Sequence, residues 1–207
     1  FPEFREKFHV VYNILSAQFL RKMAEAPADF GDRYSGSRVL SIARLSVQKG
    51  LDLALPAVAS LREKGLEFRW YIIGVGPEEA ALQEQARSLG IEQDVCFLGE
   101  QANPYPFLRA CDVYLQPSRF EGKSIAVDEA MVLCKPILLT DFSTAADQVT
   151  SGENGLIVPM TPEGIAEGLE KLLTDGELRQ RFHDALEAED YTNENEIEKV
   201  YSLIGSE

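Results

Sequence analysis

Basic residues are scarce in this sequence: 20 Lys and Arg stand against 34 Asp and Glu, a formal net charge of −14. A phosphate backbone would meet a repulsive overall field, which argues against nucleic acid as a partner. Cysteine is scarcer still. Cys96, Cys111 and Cys134 are three in number and show no CxxC spacing, so neither a disulfide framework nor a zinc centre is expected. Reduced thiols in apolar runs, and a cytoplasmic location, are the expectation. The two histidines, His9 and His183, lie outside any motif and are assigned surface or packing roles. No apolar run approaches the roughly 20 residues of a membrane-spanning helix, no charged-then-apolar leader opens the chain, and no internal repeat is found. The chain starts at Phe1 rather than at Met and reads as an excised piece of something longer.

What the 207 residues do contain is a 45% hydrophobic fraction, enough for one large α/β domain. Apolar or β-branched runs stand at Val39 to Ile42, Trp70 to Ile73, Val95 to Leu98, Val113 to Leu115 (extending to Gln116), Ile137 to Thr140 and Leu156 to Val158. They alternate with helical segments at Gly50 to Lys64, Glu78 to Leu89, Tyr105 to Ala110, Ser124 to Leu133, Ala145 to Thr150 and Pro162 to Leu173. Strands without polar alternation are buried on both faces, so the pattern predicts a doubly wound, Rossmann-like parallel sheet. Residues 1–37 read as a linker segment, with a strand-like run at Phe8 to Tyr12, a helix at Ile14 to Met23 and a loop at Ala26 to Ser37. Residues 38–175 form the Rossmann-like domain, and 176–207 read as two or three helices packing on it.

In such a sheet ligands lie at the carboxyl edge, which directs attention to the loops after the strands. After the first strand, Arg44 and Lys49 flank a loop that runs into a helix, a pattern that suits a diphosphate. Taken alone it reads equally well as ordinary surface cations. After the second, Gly74-Val75-Gly76-Pro77 lets backbone approach a ligand, but it lacks the third glycine of a dinucleotide fingerprint and alone reads as a plain turn. The loop from Gly99 to Pro106 carries Glu100, Gln101 and Asn103, polar enough to meet a base edge.

The stretch from Val113 to Thr140 is one βαβ unit whose turn and first helical turn crowd together Arg119, Glu121, Lys123 and Ser124. A turn at the carboxyl end of a strand, feeding a helix with free backbone N–H groups, is a ready anion site. Glu129 follows Glu121 by eight residues, which places the two carboxylates at different depths. A sugar and a ribose separated by a diphosphate would suit that spacing, although such a pair also arises by chance and Glu-Gly is an ordinary turn.

The ordered set Ala43-Arg44-Leu45, Lys49-Gly50, Ile73-Gly74-Val75-Gly76-Pro77, Phe97-Leu98-Gly99, Pro117-Ser118, Glu121-Gly122, Asp128-Glu129-Ala130-Met131 and Asn154-Gly155-Leu156 resembles the C-terminal half of retaining GT-B glycosyltransferases, glycosyltransferase family 4. The resemblance runs from about Arg38 to Leu173. It implies that Arg44 and Lys49 bind a donor diphosphate and that Glu121 and Glu129 form the EX7E pair, the first on the transferred sugar and the second on the ribose. It also implies a cradle from the backbone N–H groups of Lys123, Ser124 and Ile125, with Gly76 in the donor set and the base near Gln101. Arg44, Lys49 and Glu121 would be the catalytic residues. No DxD-type metal motif stands at a strand end, and no metal or cofactor is expected beyond a nucleotide-sugar substrate such as a UDP-sugar.

Two departures stand out: Ala43 where Gly is frequent, and Lys123-Ser124 where Phe-Gly is common. The resemblance further implies a glycan or glycolipid acceptor, a missing N-terminal acceptor domain without which this piece is inactive, and a parent enzyme in bacterial surface polysaccharide or lipopolysaccharide synthesis, peripheral on the inner face of the membrane. A nucleotide-sugar epimerase of GT-B architecture and a non-catalytic nucleotide-binding α/β module are the alternatives.

Overall fold

The apolar runs all become strands of one sheet in the computed structural model, which describes His9, residues 14–192 and residues 196–205. They are β1 (Ser37–Ile42), β2 (Phe68–Ile73), β3 (Val95–Gly99), β4 (Val113–Gln116), β5 (Ile137–Thr140) and β6 (Leu156–Val158). The strands pair in parallel in the order β3-β2-β1-β4-β5-β6, the doubly wound arrangement expected. Eight helices accompany them among the described residues: α1 (Ala17–Met23), α2 (Leu51–Glu63), α3 (Glu79–Ser88), α4 (Tyr105–Ala110), α5 (Ile125–Val132), α6 (Pro162–Thr174), α7 (Gly176–Glu187) and α8 (Glu196–Ile204). None of them is long and apolar enough to cross a membrane.

Strand period two divides the interior into two cores. Val39, Trp70, Ile72, Leu115 and Leu138 face α2, α3 and α6, whereas Leu40, Tyr71, Ile73, Tyr114 and Leu139 face α4 and α5. Because β1 feeds α2 on one face and the neighbouring β4 feeds α5 on the other, their chains part at the carboxyl edge. A crevice must open between them.

Two expectations need correction or limits. The helix expected over Ala145 to Thr150 is a single 3₁₀ turn, Ala145–Asp147. The Gln148 side chain is drawn inward, and the Thr150 amide donates to Asn154 Oδ1 at 2.8 Å instead of continuing a helix. The strand-like run Phe8 to Tyr12 lies outside the described residues, except for His9, which is exposed. Within the segment read as a linker, α1 is packed down: Leu15 and Leu20 are buried with Val132. At the other boundary Asp175 ends α6 and caps α7, accepting from the Leu178 amide at 2.8 Å. Phe182 and Leu186 of α7 then reach one core each. The three cysteines are free thiols, Cys111 and Cys134 buried and Cys96 half-buried.

Candidate functional site

The walls of the crevice are built by loops pressed onto one another. After β1, the turn Val47–Lys49 leads to Gly50, whose φ of 62° and position leave no room for a side chain: a Cβ there would lie 2.0 Å from Pro117 O. That contact joins the loop after β1 to the loop after β4. Arg119 N donates to Gln48 O at 2.8 Å, and Gln48 Nε2 donates to Phe120 O at 3.0 Å. Gly74 and Gly76 have a similar origin, since a Cβ would meet Ala43 O at 2.0 Å or Leu45 O at 2.2 Å.

Between these loops lies a cavity of about 650 Å³, lined by Arg44, Lys49, Gly74, Val75, Glu100, Gln101, Glu121, Lys123, Ser124, Ile125 and Ala126 among others. Its volume matches that of a small-molecule site. Arg44 is exposed and has no hydrogen bond or ion pair with any described residue. Lys49 Nζ lies 2.7 Å from Glu121 Oε1, with the two side chains 20% and 7% exposed. The same oxygen accepts from Ser118 Oγ at 2.6 Å and Gln116 Nε2 at 3.1 Å, while Gln48 Nε2 approaches Oε2 only at 3.5 Å. Beneath them Gln116 is buried, its Oε1 accepting from the Tyr114 hydroxyl at 3.0 Å and Ser124 Oγ at 2.9 Å. Burial pushes the Tyr114 hydroxyl well above its ordinary pKa, so it stays a donor to this hub. A buried network satisfied in this way holds its members in one geometry.

The third wall is the start of α5. Ser124 caps the helix, its Oγ accepting from Val127 N at 3.4 Å. Gln148 takes both sides of the Ser124 residue: Oε1 accepts from its amide and Nε2 donates to its carbonyl, each at 2.9 Å. Gln148 Nε2 also reaches Asp128 Oδ1 at 2.7 Å, and Asp128 Oδ2 lies 3.1 Å from Lys123 Nζ. The amides of Ile125 and Ala126, both residues of the cavity lining, have no acceptor among the described residues.

Seven of the nine expected donor residues thus line one cavity: Arg44, Lys49, Gln101, Glu121, Lys123, Ser124 and Ile125. Gly76 does not; it packs on Leu45. Glu129 lies outside the lining, its Oε1 accepting from the Tyr105 hydroxyl at 2.9 Å. Burial pushes the Glu129 carboxyl above its ordinary range against the lowering by that hydrogen bond, and burial with the Glu129 contact lifts Tyr105 to about 12. Arg119 is also displaced from the expected cluster, because its guanidinium forks onto Asp52 at 2.7 Å to each carboxylate oxygen. The Ser124 amide, one of the three expected in the cradle, donates to Gln148 Oε1. Trp70 is fully buried and donates to Ser41 Oγ at 3.0 Å, in a sheet core rather than at the crevice. Gln116, Tyr105 and Gln148 are residues of this network that sequence reasoning did not single out, while Asp128 was quoted only as part of a motif, with no role given to it. Ser118 stood within a quoted motif; Gln148 carries no local signal at all.

Residues 27–188 match the family model described as "Glycosyl transferases group 1". Among curated relatives, an alpha-D-kanosaminyltransferase of Streptomyces kanamyceticus is 28% identical over 185 residues, 86% of this chain and 48% of the relative. The lipopolysaccharide core biosynthesis glycosyltransferase LpsE of Rhizobium meliloti is 32% identical over 145 residues, 70% of this chain and 42% of LpsE. The chain therefore spans about half the length of the curated relatives it matches. The crystal structure of Anabaena HepE in complex with UDP and glucose superposes with a TM-score of 0.81 at 21% identity, over 96% of this chain and 57% of that one, a likeness of fold.

Proposed function

This chain belongs to the glycosyl transferases group 1 family, and from that premise we propose that its crevice binds the nucleoside diphosphate of a sugar donor for a retaining, metal-independent transferase of family 4. The observation that carries the reading is the convergence of Arg44, Lys49, Glu121 and the start of α5 on one cavity at the switch point between β1 and β4.

Breaking the anomeric bond leaves negative charge on the departing diphosphate. Arg44, Lys49, Lys123 and the amides at the mouth of α5 are dipoles and charges of the right sign, supplied by the chain itself. Glu121 has one oxygen held by Lys49, Ser118 and Gln116, which suits it to orient Lys49 and to accept from a sugar hydroxyl through the other. Glu129, beside Tyr105 at the start of α4, is assigned to the ribose hydroxyls, with Gln101 and its neighbours toward the base. A second domain, of the size that the half-length matches leave room for, would bring a glycan or glycolipid acceptor. Without it the chain binds donor but does not transfer. The LpsE relative's name supports a parent enzyme of envelope polysaccharide synthesis, to which a cytoplasmic, peripheral place at the inner membrane face is assigned.

Calorimetric titration with UDP, ADP and GDP tests the reading, with saturable one-site binding of at least one expected. Binding of NAD or a flavin with no response to nucleoside diphosphates would remove it. In the complete enzyme, a donor altered without any acceptor would favour an epimerase instead.

A further inference from the structure

We infer that Gln148 is a positioning residue for the donor diphosphate, acting through the peptide of Ser124 and through Asp128; the inference rests on the donor-binding reading above. Gln148 follows the 3₁₀ turn beyond β5, remote in sequence from α5, yet its amide engages both the N–H and the C=O of Ser124 and reaches Asp128. Such two-sided pairing orients the peptides on either side of the Ser124 Cα. The second of these peptides carries the Ile125 N–H, so its direction is set from Gln148, and Ile125 and Ala126 both line the cavity.

The same side chain divides the helix mouth into occupied and available donors. Ser124 N–H is spent internally, while the amides of Ile125 and Ala126 have no acceptor among the described residues. Through Asp128, Gln148 also bears on where Lys123 stands, since Asp128 shares its two oxygens between Gln148 and the Lys123 ammonium. Gln148 is buried and does not line the cavity, so it acts through these neighbours rather than on the ligand. The sequence pair Lys123-Ser124 and the distant Gln148 therefore form one unit.

The test uses Gln148→Met, close in volume but without amide groups, and Gln148→Glu, which keeps the acceptor for Ser124 N–H but sets a carboxylate against Ser124 O and Asp128. Each is titrated calorimetrically with the nucleoside diphosphate that binds the unmodified chain best and with the matching nucleoside. A positioning role predicts a diphosphate Kd raised about ten-fold or more in both variants, with the nucleoside Kd unchanged within about two-fold. Loss of structure alone would lower the fitted stoichiometry while leaving the diphosphate Kd of the folded fraction intact, and that result overturns the inference. So would equal weakening for nucleoside and diphosphate. If the unmodified chain binds no nucleoside diphosphate, the donor reading fails and takes this inference with it; if it binds and the variants bind alike, only the role of Gln148 falls.

Discussion

The sheet carries a charged cluster at each end, and the two are built differently. At the amino end Asp32 accepts from Arg69 at 2.8 Å and from the Tyr71 hydroxyl at 2.6 Å, with Arg38 at 3.7 Å. The Phe30 ring lies under Arg38 and the Tyr34 ring under Arg69, each with the guanidinium carbon 4.7 Å from the ring centre. Burial alone would raise the Asp32 carboxyl, but hydrogen bonds from Tyr71, the Tyr34 amide and Arg69 outweigh it and hold it below the usual range. Here the Asp32 carboxylate on the loop is answered by Arg69 and Tyr71 of β2 and by Arg38 of β1, although Arg38 Nε and the Tyr34 hydroxyl are buried without a hydrogen-bond partner among the described residues. At the carboxyl end Arg44 is unpaired among the described residues, Glu121 keeps one oxygen lightly engaged, and the amides of Ile125 and Ala126 have no acceptor among the described residues. A closed cluster is architecture, whereas the open one leaves Arg44 without a partner among the described residues, the feature that the proposed diphosphate would answer.

The comparison breaks most readily at Lys49. Lys49→Met removes a cation and leaves Glu121 half-answered, so nucleoside diphosphate affinity should fall about 100-fold, or about 2.7 kcal/mol. Calorimetry decides it, and a Kd within about three-fold of the unmodified chain would mean that the open cluster is not a phosphate site. The matched change at the closed end, Asp32→Asn, should leave that Kd alone and lower unfolding stability by about 1–2 kcal/mol, read from the urea midpoint. Its pH signature follows from the depressed folded pKa. The stabilisation is complete above the unfolded carboxyl value of about 3.9 and is lost as pH falls through the folded one. Asp32→Asn should therefore flatten the acid limb of the stability profile.

Glu129 sharpens the contrast with the opposite sign. Its carboxyl is raised by burial, so folding stability declines as pH rises from the unfolded value of about 4.3 through the folded one. In its proposed role as ribose acceptor it works best ionised, so nucleoside binding should weaken on acidification at a higher pH than an ordinary glutamate would give. Glu129→Gln should lower nucleoside affinity about five-fold at neutral pH, or about 1 kcal/mol, and remove that acid dependence. Using the nucleoside keeps the phosphate's own titration out of the measurement. An unchanged pH profile would separate Glu129 from the ligand.

The closed framework was far more legible in the sequence than the open site. All six strands were visible because central parallel strands must be apolar on both faces, a local property of Val39–Ile42 or Ile137–Thr140. Arg44, Lys49 and Glu121 could be found because strand ends are short and their loops converge at the switch point. The glycines were visible but their cause was not: Gly50, Gly74 and Gly76 answer neighbouring carbonyls rather than a ligand. Gln116 read only as the end of a strand, and Gln148 fell within an expected helix. Both act through partners that only the folded chain brings near, so no local pattern could announce them.

The smallest expected effect lies on the seam between framework and site. Arg119 forks onto Asp52 and also donates to Val47 O at 2.7 Å, tying the loop after β4 to the start of α2 while facing away from the cavity. Asp52 is partly exposed and its carboxyl is held below the usual range first by the Arg119 hydrogen bond. Exposed pairs contribute little, so Arg119→Lys, which keeps the charge and gives up the fork, should cost about 0.5 kcal/mol of stability. It should shift nucleoside diphosphate Kd by no more than about two-fold. The seam remains stitched by Gln48 and by Gly50 against Pro117, neither of which needs the guanidinium. A ten-fold loss of affinity at unchanged stability would instead put Arg119 among the residues that meet the donor, and the line drawn between closed and open clusters would have to move to include it.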